Sequence, residues 1–285
     1  MRGLRRRLGH AARAATVVAI LIWSVFPFWW AVVSSLKRPI DGFDAAVIPF
    51  AQFHPTRSHW RAEWANLFNS DGLGYALIGG MAVALGVVVV CLLLGLPAAV
   101  GLLRMRRTGG PATRTLGLIL APRLLPPILL ALPFFLLGRA FGLYDTRIWL
   151  VMNQSILALP FAAVILQEAV RMTPRDLVDA AQLDGASWAR ITVGILPPMI
   201  APSLVAAAAI AFAISWDEYL FAVMNHAQRA LTPPVAIMLL DNRDGIPFAD
   251  VGSHLALVLL PPALLTLAVQ RFLARGVATG AVHGQ

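Results

Sequence analysis

The chain has 285 residues, of which 59% are hydrophobic and only 13% are charged, and its mean hydropathy is +0.74. These values exclude an ordinary soluble domain, in which about 25% of residues are charged. The formal net charge is +9, but the arginines flank long apolar runs, so the charge indicates membrane topology and contact with anionic lipid. The composition therefore predicts an all-α membrane protein with no nucleic-acid partner.

Six apolar segments approach the roughly 20 residues that a helix needs to cross the hydrocarbon of a bilayer. The first follows a short basic N-terminus, residues 1–13, and it is too long for a signal peptide and lacks a small-residue cleavage site. We therefore predict an uncleaved first helix and a single transmembrane domain over residues 14–285. The predicted spans are residues 14–36, 75–103, 115–138, 148–167, 199–222 and 251–270.

Six spans place both termini on one side of the membrane. If that side is the cytoplasm, its segments carry 14 of the 23 lysines and arginines, against eight in the external segments and one, Arg123, within a span. Lys and Arg are retained on the cytoplasmic side. We therefore predict that both termini are cytoplasmic, together with the polar segment over about residues 171–198.

Polar residues occur within the fourth and fifth spans, where they are costly and tend to face an interior or a partner. They can line a passage for a polar solute, with Trp216 stacked on the apolar face of a sugar ring. The alternative is that Asp217 and Glu218 simply lie in the external headgroup zone. The residues of this predicted substrate path are Asn153, Gln154, Trp216, Asp217, Glu218 and Tyr219.

The polar segment between these two spans predicts a short helix, a turn and a second short helix. Thr173 can cap a helix that begins at Pro174, a residue tolerated at the first helical position. That helix should end at Gly185, which can take the left-handed conformation that closes a helix without strain. Ser187 can then cap the second helix.

The same segment resembles the EAA loop of ABC importer permeases. The family pattern is an acidic residue with two alanines, then DGA, then a hydrophobic residue with Leu-Pro. Asp179 stands where the family usually has glutamate, which keeps the charge and shortens the side chain by one methylene. The resemblance implies a cytoplasmic coupling helix-turn-helix that docks on an ATPase subunit through Asp179, Ala180, Ala181, Leu183, Asp184, Gly185, Ala186 and Pro197.

Further motifs extend the resemblance along the chain, namely FPFWWAVVSSLKRPIDGF at residues 26–43, LLPPILLALPFF, SWDEYLFA and RFLARGVATGAVHG. They are similar to landmarks of the carbohydrate importer permeases of the maltose type, the smaller of the two permease subunits. This implies a type I ABC importer permease fold with six transmembrane helices in a bacterial or archaeal cell membrane. The implied partners are a second permease subunit, two ABC ATPase subunits, an extracytoplasmic solute-binding protein and membrane lipid.

The sequence predicts a subunit without catalytic activity, a bound cofactor or a metal. The phosphate-binding motif GxxxxGK[ST] is absent, because the only lysine, Lys37, follows Leu36. ATP and Mg²⁺ would therefore be used by the partner ATPase subunits. His54 and His59 share the first external loop, but there is no HExxH motif and no second cluster of ligands.

Other transport and enzyme classes stay open as alternatives. The solute could be another polar molecule, such as a polyamine or a glycerophosphodiester. A stand-alone channel or secondary carrier would function without an ATPase and often contains inverted repeats, which are not visible here. An integral membrane enzyme would cluster its catalytic groups on one side, whereas the polar residues of this chain are scattered.

Overall fold

The computed structural model describes residues 2–38, 41, 46–67, 69, 72–240 and 248–280, so parts of the motifs at residues 26–43 and 271–284 lie outside the described residues. The all-α prediction is confirmed over these ranges. The α-helices are α1 (Arg2–Ser34), α2 (Ser58–Asn66), α3 (Leu73–Arg107), α4 (Ala112–Leu120), α5 (Pro127–Ala140), α6 (Arg147–Met172), α7 (Arg175–Leu183), α8 (Trp188–Arg190), α9 (Leu196–Met199), α10 (Ala201–Trp216), α11 (Leu220–Asn225), α12 (Pro233–Leu240) and α13 (Phe248–Gly280). A 3₁₀ turn (Ala121–Leu124) follows α4, and a π-helical turn (Ile191–Ile195) joins α8 to α9.

Within the described ranges, four helices are long and apolar enough to cross a membrane. They cover Ala12–Ser34, Leu73–Arg107, Arg147–Met172 and Val251–Gln270. Two further candidates are bent pairs, Ala112–Leu124 with Pro127–Ala140 at 88° and Trp188–Met199 with Ala201–Trp216 at 90°. Counting each bent pair as one span gives six. The domain and span boundaries predicted from the sequence stay predictions.

Both bends lie beside prolines at the start of the second helix of the pair. Leu125 precedes Pro126 and is extended, with φ −89° and ψ 140°, because a proline ring disfavours the helical conformation of the preceding residue. The second break is at Ile200, with φ −105° and ψ 21°, and Pro202 opens α10 behind it. Proline at the start of α5 and α10 removes no helical hydrogen bond, so each pair continues in a new direction without an internal defect.

Contacts divide the chain into two compact units, of which the larger comprises Asn69–Ala236 and Pro261–Gln285. Its core is formed by α3, α6 and α10, which pack on one another. Small residues allow this close approach: a Cβ built on Gly95 would lie 3.2 Å from the Leu166 side chain, and one on Gly86 would lie 2.6 Å from that of Val151. Such packing of small residues is typical of helices in membranes, where apolar burial alone does not drive association.

The smaller unit comprises Met1–Phe68 and Ile237–Leu260. Lys37 is completely buried there, and its ammonium group lies 4.6 Å from the centre of the Trp30 ring. His254 Nδ1 lies 3.3 Å from a carboxylate oxygen of Glu63, which links α13 to α2. Gly252 allows α13 to approach the end of α1, because a Cβ at this position would lie 2.7 Å from the backbone nitrogen of Ser35.

Candidate functional site

Residues 175–190, from α7 through α8, form a helix-turn-helix that we call the hairpin. As predicted, α7 ends at a glycine in the left-handed conformation, Gly185, with φ +82°. The Gly185 N–H donates to Gln182 O at 3.0 Å, and the Ala186 N–H donates to Ala181 O at 2.9 Å. This pair of reversed hydrogen bonds is the Schellman motif, which fixes the direction in which the chain leaves α7.

The start of α8 was predicted correctly and the start of α7 was not. Ser187 Oγ accepts a hydrogen bond from the Arg190 N–H at 3.3 Å and so caps α8. The predicted cap at Thr173 is wrong, because its hydroxyl donates to Ala169 O at 3.2 Å and closes the end of α6 instead. Pro174 is extended and precedes the first residue of α7 without a side-chain cap.

The two faces of α7 differ in exposure. Val178 is 2% exposed, and Ala181 is half-buried against the core of the larger unit. On the opposite face Ala180 is exposed, and Leu177 and Leu183 are 49% and 89% exposed. The two predicted alanines therefore have different surroundings, and only Ala180 is freely accessible to another protein.

Two interactions fasten the hairpin to the end of α3. Arg107 Nη1 lies 2.6 Å from Asp179 Oδ1, in a pair whose side chains are 26% and 55% exposed. The Arg104 guanidinium lies 5.0 Å from the centre of the Trp188 ring, and Trp188 packs in turn against the core. Exposed ion pairs contribute little to stability, so the pair acts mainly to orient α7 relative to α3.

The other predicted docking residues are spread over the hairpin and beyond it. Asp184 is exposed, whereas Ala186 is half-buried against the core. Pro197 lies outside the hairpin, half-buried in α9 beside the buried Leu196. Their roles in docking stay predictions.

Two residues of the predicted substrate path, Gln154 and Glu218, form a largely buried hydrogen-bond chain with Ser215. Ser215 Oγ donates to Gln154 Oε1 at 2.5 Å, and Gln154 Nε2 donates to Glu218 Oε2 at 3.2 Å. The same carboxylate accepts from the backbone N–H groups of Phe221 at 2.9 Å and Ala222 at 3.2 Å. Glu218 therefore caps the start of α11, a position where negative charge is favoured.

The remaining predicted path residues divide into buried and exposed ones. Asn153 is fully buried, and neither polar atom of its side chain has a hydrogen-bond partner among the described residues. Trp216 is 6% exposed and stacks on Phe212, with ring centroids 5.5 Å apart. Only Asp217 and Tyr219 are exposed in this conformation. A role of these six residues in contacting solute stays a prediction.

Residues 91–279 match the family described as binding-protein-dependent transport system inner membrane component. The match includes both the hairpin and the buried hydrogen-bond chain. The chain belongs to this family. As a family member it is a multi-pass membrane permease of an ABC importer and works with other components of that importer.

Two relatives match nearly the whole permease. A trehalose transport system permease protein of Mycobacterium tuberculosis is 30% identical over 96% of this chain and 99% of its own length. A sulfoquinovosyl glycerol transport system permease protein of Agrobacterium fabrum is 27% identical over 97% of this chain and 95% of its own length. The similarity thus reaches well beyond the EAA loop.

The fold is that of a type I ABC importer permease. The permease is similar to a chain in the crystal structure of a bacterial ABC transporter involved in the import of the acidic polysaccharide alginate. The TM-score is 0.71 at 17% identity, and the match covers 93% of this chain and 96% of the other. At this identity the likeness concerns the fold alone, and it confirms the predicted fold class.

The permease is the non-catalytic part of its importer, because in this family ATP is hydrolysed by separate ATPase subunits. Among the described residues, no three His, Cys, Asp or Glu side chains are grouped so that they could hold a metal ion.

Sequence reasoning missed Asp145, which joins two loops of the larger unit. Its carboxylate accepts hydrogen bonds from four consecutive backbone N–H groups, Ala227 to Ala230, at 2.9–3.1 Å. Asp145 has φ +59°, a conformation that aspartate tolerates better than most residues. Although partial burial opposes ionisation, the backbone donors lower the pKa of Asp145 below its ordinary value. The sequence around Asp145 does not indicate this role, since the backbone groups that donate to it lie more than 80 residues away.

We predict that Asp145→Asn lowers the free energy of unfolding by about 1–2 kcal/mol at neutral pH, because charge-assisted hydrogen bonds are replaced by weaker ones. The depressed pKa in the folded state means that this contribution is complete above about pH 5 and declines as the pH falls through the folded-state pKa. Thermal unfolding of the purified transporter between about pH 3 and 7 measures it. Asp217→Asn, at an exposed carboxylate, is the control. If Asp145→Asn and wild type differ in stability by the same amount at about pH 3 and at about pH 7, the prediction is wrong.

Proposed function

We propose that this permease subunit forms, together with a second permease subunit, the path of an ATP-driven importer for a sugar or oligosaccharide. Two ABC ATPase subunits bind ATP and Mg²⁺ on the cytoplasmic side, and an extracytoplasmic solute-binding protein delivers the solute. The chain itself holds no cofactor. It lies in a bacterial or archaeal cell membrane with both termini and the hairpin in the cytoplasm, as the distribution of arginines favours.

The sugar assignment is supported by the length over which the chain resembles two permeases named for glycosides, trehalose and sulfoquinovosyl glycerol. A polyamine or glycerophosphodiester importer is the alternative. The described residues that line the predicted path offer amide, hydroxyl and carboxylate groups, which suit hydrogen bonds to sugar hydroxyls.

Coupling to the ATPase is supported by one observation above the others, the outward face of α7. Leu183 is 89% exposed and Leu177 is 49% exposed, on a helix whose other face is packed and whose end is fixed by the turn at Gly185. Burying one leucine contributes about 1.5–3 kcal/mol, so a partner groove that covers this face gains affinity. A rigid hairpin can then transmit the partner's movement to α6 and, through the π-helical turn and α9, to α10.

Closure of the ATPase drives transport only if the hairpin docks with different free energy in the inward-facing and outward-facing states. The proposal is tested by reconstituting the permease with its partner subunits and binding protein in vesicles and measuring uptake of labelled trehalose, other disaccharides, a polyamine and a glycerophosphodiester. We expect ATP-dependent uptake of a sugar. Uptake of only the polyamine or the diester would reject the sugar assignment, and uptake without the ATPase would indicate a channel or carrier.

In the same assay, Leu183→Ala and Val178→Ala distinguish docking from folding because they lie on opposite faces of α7. Leu183→Ala should weaken ATPase binding about tenfold, since full burial of a leucine side chain contributes about 1.5–3 kcal/mol and about 1.4 kcal/mol corresponds to a factor of ten, and it should leave thermal stability unchanged. Val178→Ala should lower stability by about 1–2 kcal/mol and leave ATPase binding per folded complex unchanged. Unaltered ATPase binding by Leu183→Ala would contradict docking through this face.

A further inference from the structure

A cleft of about 430 Å³ opens where the ends of α3 and α6 meet the start of α7. Its most conspicuous feature is the concentration of guanidinium groups, for four of the seven lining residues are arginines. The lining comprises Leu103, Arg106, Arg107, Arg171, Thr173, Arg175 and Val178.

Two of the four arginines are already neutralised. Arg107 pairs with Asp179 at 2.6 Å. Arg171 forms a two-bond pair with Glu168, with Nε to Oε2 at 2.9 Å and Nη2 to Oε1 at 2.7 Å. The cleft therefore has four positive charges against these two carboxylates.

The other two arginines carry the surplus charge. Neither the Arg106 nor the Arg175 guanidinium makes an ion pair or hydrogen bond with any residue that the structure describes. Arg106 is also within electrostatic reach of Glu168, but that carboxylate is held by both donors of Arg171. Guanidinium groups bind phosphate oxygens through paired N–H donors, so the surplus fits a phosphate-bearing ligand.

The position of the cleft favours a lipid as the source of the phosphate. Arg107 and Met172 end two of the four continuous candidate spans, so the arginines lie at the depth where phospholipid headgroups are found. Leu103 and Val178 add apolar surface to the lining of the cleft. A basic pocket between the ends of transmembrane helices is a typical binding site for the headgroup of an anionic lipid.

The two sides of α7 separate this site from the proposed protein-docking surface. Val178, which lines the cleft, is 2% exposed, whereas Leu183 on the outer face is 89% exposed. Four of the seven residues that line the cleft are arginines, whereas the outer face carries the exposed apolar side chains of Leu183 and Ala180. The chemistry of the cleft thus suits a small phosphodiester more than a protein helix.

We propose that this cleft binds the phosphodiester headgroup of an anionic phospholipid, with Arg106 and Arg175 as the principal donors. The bound headgroup would bridge the end of α3 and the start of α7, next to the Arg107–Asp179 pair. Anionic lipid would therefore hold the hairpin against α3. The proposal concerns a site for lipid and does not depend on which solute the permease carries.

The test uses the whole transporter complex, purified in detergent and stripped of lipid, with phosphatidylglycerol, cardiolipin, phosphatidylcholine or inorganic phosphate added. Retained lipid is counted by native mass spectrometry, and stabilisation is measured by thermal unfolding. The variants are Arg106→Gln, Arg175→Gln and the double substitution. Arg114→Gln is the matched control, because Arg114 is an exposed arginine at the nearby start of α4 and does not line the cleft.

We expect phosphatidylglycerol and cardiolipin, but not phosphatidylcholine, to be retained and to stabilise the wild type. The affinity should fall about fivefold for each single variant and about 30-fold for the double variant at low salt, with no change in Arg114→Gln. Equal stabilisation by inorganic phosphate would identify a free anion as the ligand and overturn the lipid assignment. Unchanged lipid retention in the double variant would overturn the site, and lost ATPase binding with unchanged lipid retention would assign the cleft to the partner protein.

Discussion

Gly185→Val is expected to reduce ATP-driven uptake about fivefold to 30-fold without preventing insertion of the permease. Gly185 has φ +82°, which costs about 1–2 kcal/mol for a residue with a Cβ and more for a β-branched one. To escape the strain the turn must give up the hydrogen bond from Ala186 to Ala181, and the outward face of α7 then points elsewhere. A loss of 1–2 kcal/mol in docking would appear as about a fivefold to 30-fold loss of coupling.

Gly109→Val provides the matched control for this variant. Gly109 also has a positive φ, +72°, and like Gly185 it has no atom within 4 Å of its Cβ position. It lies in the turn between α3 and α4, so its substitution imposes a similar backbone strain outside the hairpin. In vesicles, uptake should fall more than ATP hydrolysis in Gly185→Val. In Gly109→Val the two activities should fall together. Equal losses in both variants would show that general destabilisation, and not coupling, is responsible.

Gly79→Ala adds only a methyl group, yet it is expected to lower the free energy of unfolding substantially. A Cβ at this position would overlap the backbone oxygen of Leu231, which cannot rotate away as a side chain can. Either α3 or the segment before α12 must shift, and forced overpacking of this kind costs about 1–3 kcal/mol or more. Its neighbour Gly80 is equally restricted, by the Pro233 ring 2.5 Å away, so the helix cannot relieve the clash by a small rotation.

Gly101→Ala, in the same helix, shows what the added methyl group does by itself. No atom lies within 4 Å of the Cβ position of Gly101, so the substitution should be neutral or stabilise α3 by up to about 1 kcal/mol. Size-exclusion profiles and thermal unfolding of the detergent-purified transporter measure both variants. A Gly79→Ala protein as stable as Gly101→Ala would show that α3 and Leu231 do not approach each other so closely.

Local signals were sufficient for parts of the hairpin. A glycine after an amphipathic turn of helix predicts the end of α7, because few other residues adopt its left-handed conformation, and the hydroxyl of Ser187 predicts the start of α8. The cap at Thr173 failed because the same hydroxyl can satisfy either the end of α6 or the start of α7, and the sequence does not say which. The accessible Ala180 and the packed Ala181 are adjacent in the sequence, and only the contacts of α7 with the core distinguish them.

Features that depend on distant partners were beyond sequence reasoning. Gln154 and Glu218 were both selected as polar residues at membrane depth, but their hydrogen bond spans 64 positions, and nothing local indicates that the carboxylate caps α11. Asp145 is an unremarkable loop aspartate until the backbone of Ala227–Ala230 is folded around it. Prolines lie at both bends, but the angles of 88° and 90° depend on how α5 and α10 pack against distant parts of the chain.

The right angle between the segment Trp188–Met199 and α10 determines how a pull on the hairpin would act on α10. A displacement along the axis of the short helix that leaves the hairpin is, after a 90° turn at Ile200, a displacement across the axis of α10. Under the proposed coupling, an ATPase that pulls the hairpin need not slide α10 through the bilayer, which would move its apolar surface into water. It can tilt α10, together with the helices α3 and α6 on which it packs, so that the apolar surface of α10 stays out of water.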